Sequence, residues 1–319
     1  MAGWRVVSAP CPARSVSPPG RTRHLPQRPE GLAQWLVVLM VVCGLLVLAG
    51  LAASAGWGGL EPEPPWSTGD CQETLSPGVV ACRYVWYVTV AVVSGLVSGV
   101  LLAGAGGRLA MRLLAATAGD AAQGRITEAD QVVGKITVGG TIGFIVFTGL
   151  FFGLATGALH LLIRRWLPRG RLGGLAFGAV LLVVTATRIE PLRRDNPDFD
   201  MVGPGWLSVV VFAALVVAHG MCVAAVAGRY SRLLPLLSRR TSSVVAHAPL
   251  LLLAPIAPVL VPVALVGVVT VLAARVRPSA PTGQSRRFKL VGRAVLLAVV
   301  LIAIPGFVSA MADILDRGP

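Results

Sequence analysis

Arg108 and Arg112 stand four residues apart in the segment GGRLAMRLLA, a spacing that places both guanidinium groups on one face of a helix. Such a pair can bind an anionic headgroup, an anionic solute or acidic side chains. Arginines that merely end a membrane span and snorkel toward water have the same sequence signature. Asp195, Asp198 and Asp200 surround Pro197 in DNPDFDM, too closely and irregularly for an EF-hand loop, so a solvated turn is the expectation. His219 precedes Cys222 by one helical turn, the spacing of a soft ligand pair. Two ligands make no metal site, and a histidine hydrogen-bonded to a neighbouring helix is the simpler expectation. Cys71 and Cys82 share an acidic connection and are candidates for a disulfide in an oxidising compartment, with two free thiols as the alternative. Cys11, Cys43 and Cys222 read as unpaired, the last two as small apolar residues within helices. No H-E-x-x-H helix, paired acids or G-x-S-x-G turn is present, so no catalytic residue, cofactor or metal is assigned.

The elements that must carry these residues are membrane helices. The chain is 55% hydrophobic and 13% charged, against roughly 25% charged residues in an average soluble domain. Apolar runs long enough for a hydrocarbon core of about 30 Å recur approximately over 33–55, 84–106, 138–162, 172–187, 206–228, 248–274 and 294–312. None contains Asp, Glu, Lys or Arg. The expected fold class is therefore all-α, a multi-pass transmembrane helix bundle of about seven hydrophobic segments. Residues 1–32, with six prolines and five arginines, read as a disordered basic tail, and 313–319 as a short tail. Between them the helical domain 33–312 carries polar loops at 56–83, 107–137 and 188–205. The first span is expected to be a retained anchor, since its length exceeds that of a cleaved signal.

Glycines four apart mark the bundle's packed centre: Gly95 and Gly99, Gly139 and Gly143, Gly149 with Gly153 and Gly157, and Gly174 with Gly178. Trp35, Trp57, Trp86, Trp166 and Trp206 fall near span ends, where interfacial aromatics belong. Pro305-Gly306 predicts a kink in the last span, and prolines 249, 255, 258 and 262 make the sixth run a candidate re-entrant segment.

The net charge of +14 resides in short loops beside apolar spans, without the aromatic-basic pattern of nucleic-acid binding. Those residues read as topology determinants and contacts to the lipid bilayer, anionic lipids included. Strict alternation with the N-terminus inside places 18 Lys/Arg on the cytoplasmic side and 10 outside, although the wholly basic loops 163–171 and 229–247 then fall outside. Arginine outnumbers lysine 26 to 2, a mark of GC-rich coding that suggests a bacterial cell membrane.

The segments GGRLAMRLLA, QGRITEAD, GKITVGGTIG and DNPDFDMVGPGWL resemble a group of uncharacterised multi-pass membrane proteins of actinobacteria and related bacteria, over about residues 95–232. The resemblance implies a shared membrane architecture with two recurring polar loops and assigns no catalytic role. Spans without carboxylates favour a non-enzymatic scaffold or accessory subunit. The alternative is a transporter or channel for a small solute, using glycine-rich interfaces and His219 near the midplane. Two spans separate loops 107–137 and 188–205, which should share a membrane face. Pairing of Arg108 and Arg112 with Glu190, Asp195, Asp198 or Asp200 is the predicted link between them.

Overall fold

The computed structural model describes residues 30–65, 77–256 and 286–317. Within them the protein is helical, apart from one isolated antiparallel bridge between Ile126 and Val132. Helix α1 (Glu30–Trp57) is followed by α2 (Pro77–Ser98), which continues through a π-helical stretch (Gly99–Gly104) into α3 (Ala105–Thr117). Next come α4 (Val138–Ile163) and α5 (Arg171–Val180), the latter running on through a second π-helical stretch, Leu181–Ala186. Helices α6 (Gly205–Leu233), α7 (Thr241–Ala246) and α8 (Arg286–Leu315) complete the described chain, and α8 continues through Pro305.

Five of the seven expected spans are helices long and apolar enough to cross a membrane: Trp35–Trp57, Gly78–Thr117, Val138–Ile163, Gly205–Leu233 and Arg287–Leu315. The protein is thus a multi-pass membrane bundle, and the two remaining apolar runs differ in form. The fourth run forms the shorter helix Arg171–Ala186, whose 16 residues reach only about 24 Å. The sixth run starts as a 3-10 helix over Ala248–Ile256 and carries Pro249 and Pro255, neither of which has a backbone N–H. Its remainder lies outside the described residues, as do the basic tail 1–29 and Cys71 of the expected disulfide.

The ends of the bundle group differently from strict alternation. Arg293 near the start of α8 donates to the carbonyl of Trp166. The same end holds Arg164 donating to Pro62, and the Arg232–Glu63 pair at the close of α6. Helices α6 and α8 therefore meet this end from the same side, and no net crossing separates them. At the opposite end Gly205 abuts the carbonyl of Ile314, and Arg317 reaches Asn196. Placing the start of α8 beside loop 163–171 removes the basic excess that favoured an inside N-terminus.

Glycine sets the helix spacing. A Cβ on Gly95 or Gly99 would collide with the carbonyl of Gly153 or Gly149, so α2 and α4 touch backbone to backbone. Gly178 meets Val217 and Gly220 in the same way, joining α5 to α6. The expected pair Gly139 and Gly143 behaves otherwise: neither has an atom of the described residues within 4 Å of a built Cβ, and among those residues they join no seam. Trp35 and Trp206 are exposed as interfacial residues should be. Trp86, by contrast, is fully buried because its indole N–H donates to Leu234 O at 2.9 Å.

Candidate functional site

The two glycine seams hold α4 against α2 and α5 against α6, leaving a cleft between the two pairs. At the Ile163 end the cleft is shut: the ring of His160 meets Phe177 at 5.0 Å, and Ile163, Leu167 and Leu181 pack with Phe177. Toward the Val138 end it opens into a cavity of about 700 Å³. One face of α4 lines it, with Gly140, Phe144, Phe147, Thr148, Phe152 and Thr156 recurring at three- and four-residue steps. Across from that face stand Arg108, Met111 and Arg112 of α3, Thr185 of the second π-helical stretch, and Phe212, Leu215 and His219 of α6. Loop residues Glu128, Lys135, Glu190 and Asp198 form the rim. Short π-helical stretches recur at functional sites, and both of those found here contribute to the wall, through Ala103 and Thr185.

His219 closes the deep part of the cavity, roughly 21 Å along α6 from Gly205. Its Nδ1 lies 3.2 Å from the carbonyl of Ser98 and its Nε2 2.9 Å from Thr156 Oγ1. A carbonyl can only accept, so Nδ1 carries the proton; Thr156 Oγ1 also lies 2.8 Å from Phe152 O, and its single proton serves either that carbonyl or Nε2. Three helices are thereby fastened at one buried point. Cys222 packs with Leu102 and Val226. Among the described residues no group of three or more His, Cys, Asp or Glu could hold a metal ion.

Arg108 is only 5% exposed. Its Nε donates to Thr141 Oγ1 at 3.0 Å, and among the described residues no carboxylate pairs with it. Thr141 in turn donates to Thr137 O, and Thr137 Oγ1 caps α4 by accepting from Gly140 N. The guanidinium is thus aimed by the first turn of α4, and its terminal nitrogens have no protein acceptor among the described residues. Arg112, one turn on, donates to the carbonyl of Lys135 at 2.8 Å. That helical spacing was legible in the sequence, and α3 carries both residues on the cavity wall.

The expected pairing of these arginines with the acidic loop does not form. The loops do meet, but Arg193 makes the link, binding both carboxylate oxygens of Glu128 at 2.5 and 2.6 Å. Asp198 Oδ1 accepts from Glu128 N at 2.9 Å beside it. Arg193 also pairs with Asp195 at 3.0 Å and lies 3.9 Å from Glu190. Asp200 is drawn away to Arg317, at 3.7 Å. The physical reason is position: Arg108 sits inside the α3–α4 packing, while Arg193 lies in the acidic loop itself and reaches the carboxylates first.

Arg108, Arg112, Asp198 and His219 therefore converge on one cavity, whereas Asp195 and Asp200 serve the loop. Cys82 is half-buried near the start of α2, and Cys71 lies outside the described residues. Sequence reasoning passed over Glu128, Arg193, Lys135 and the phenylalanines of α4. Only the 144, 147/148, 152 periodicity hinted at the last group. Burial raises the Glu190 carboxyl above its ordinary range, opposed by Arg193 and aided by Glu128, Asp198 and Asp195. Asp198 is likewise raised, first by burial. The chain matches no family model, no curated protein and no solved structure.

Proposed function

We propose that the protein admits a molecule bearing negative charge into this cavity and carries it through the membrane, rather than acting as a scaffold. The observation that carries the reading is Arg108, a buried cation with no carboxylate partner among the described residues, on the wall of a cavity that reaches His219. An unpaired buried charge is expensive, so one that persists is best explained by an anion that visits it. Arg112 and Lys135 extend the positive wall toward the rim. The cavity reaches His219 near the midplane, the depth at which carriers place their sites. The scaffold alternative gives no account of the cavity.

Flux through proteoliposomes tests this. Vesicles containing the full chain should take up radiolabelled acetate or phosphate faster than empty vesicles, and Arg108→Gln should lower the rate about tenfold or more. Uptake equal to that of empty vesicles for both anions would overturn the proposal and restore the scaffold reading.

A further inference from the structure

The cavity is two-ended. Arg108, Arg112 and Lys135 lie toward the polar loops, while Phe144, Phe147, Phe152 and Leu215 line the stretch between them and His219. A molecule with a charged head and an apolar tail meets both regions at once. The side of the cavity is also open. Phe147 lines it and is nevertheless 73% exposed, and beside the cavity-lining Gly143 no atom of the described residues lies within 4 Å of a built Cβ. Both residues lie within the membrane-spanning length of α4, so the opening faces acyl chains rather than water. The rim carboxylates are engaged elsewhere, Glu128 by Arg193, Glu190 at 3.9 Å from the same arginine and Asp198 by a backbone N–H, which leaves the cationic wall to the ligand.

We infer that the cavity binds one anionic phospholipid, its phosphate against Arg108 and Arg112 and one acyl chain along Phe144, Phe147 and Phe152. The volume of about 700 Å³ lies within the range of roughly 300–1,000 Å³ typical of small-ligand sites. The inference rests on the cavity being a ligand site, as proposed above, and specifies the ligand as lipid that enters sideways from the bilayer.

Native mass spectrometry of the full chain in detergent tests it, with short-chain phosphatidylglycerol, phosphatidylcholine of the same chains, and glycerol phosphate as probes. One phosphatidylglycerol should be retained per protein, with phosphatidylcholine about tenfold weaker or more and glycerol phosphate unable to displace it. Arg108→Gln should abolish the preference for phosphatidylglycerol. Gly143→Phe should abolish retention while leaving the fold intact, because no atom of the described residues lies within 4 Å of a Cβ placed there. It therefore serves as the test even if the arginine variant misfolds. Displacement by glycerol phosphate would overturn the lipid assignment in favour of a soluble anion. Equal retention of phosphatidylcholine would overturn the role of the arginines. Unchanged retention in Gly143→Phe would place the lipid on the outer surface and overturn the site. Lipid retention without anion flux would remove only the transport reading, and flux without lipid retention would remove only this inference.

Discussion

Arg108 opposes stability to function. Its burial without a carboxylate partner destabilises the ligand-free protein, so Arg108→Met should raise the melting temperature in detergent by about 2 °C or more while ending anion binding. A structural anchor would show the reverse, and a drop in melting temperature would refute the assignment. The rim acids supply a pH dependence. Burial raises Glu190 and Asp198 above their ordinary values of 4.5 and 3.8, with Glu128, Asp195 and Arg193 as their charged neighbours. The folded protein thus takes up these protons more readily than the unfolded chain. Their stabilising contribution is complete below the ordinary values and is lost as pH rises through the raised ones. Acidification also removes negative charge beside the cationic wall, so anion affinity should increase as pH falls through the raised values of these two carboxyls. The increase should flatten in Glu190→Gln with Asp198→Asn; an undiminished pH response there would assign the titration elsewhere.

Helix packing makes two glycines behave oppositely although the sequence presents them alike. Gly99→Leu drives a side chain into the Gly149 carbonyl and should destabilise the α2–α4 seam by about 1–3 kcal/mol or prevent assembly. Gly143→Leu faces open space and should leave the melting temperature unchanged. Equal losses in a thermal-shift comparison would mean that the cavity is filled by protein. The loop clasp is likewise specific. A double-mutant cycle on melting temperature with Glu128→Ala and Arg193→Ala should show coupling that weakens in high salt. The parallel cycle with Arg112→Ala and Asp198→Ala should be additive, because these residues have separate partners. Coupling in the second cycle and additivity in the first would reverse the assignment.

For the molecule as a whole, α1 leaves the end that carries the cavity rim, and α8 returns to it through Arg317 and Asn196. Reporters fused before Trp35 and after Arg317 should therefore report the same membrane face, whichever way the bundle is inserted. Opposite faces would require an odd number of crossings and would overturn the observed helix order. The expected outcome of alkaline carbonate extraction is retention in the membrane pellet, given five helices of spanning length and composition.

Composition and periodicity alone determined the membrane class, most helix positions and the shared face of Arg108 and Arg112, because these depend on local hydrophobicity and on 3.6-residue geometry. The meeting of loops 107–137 and 188–205 was also legible, since parity survives ignorance of orientation. Which side chains pair across those loops was not legible. Arg193 and Arg112 have the same chemistry, and only their positions in space select Glu128 for one and a carbonyl for the other. The cavity lay equally beyond the sequence. It exists because two glycine seams pull α4 and α5 onto different neighbours, and a void between helices is a property of their mutual angles, which no single stretch of chain encodes.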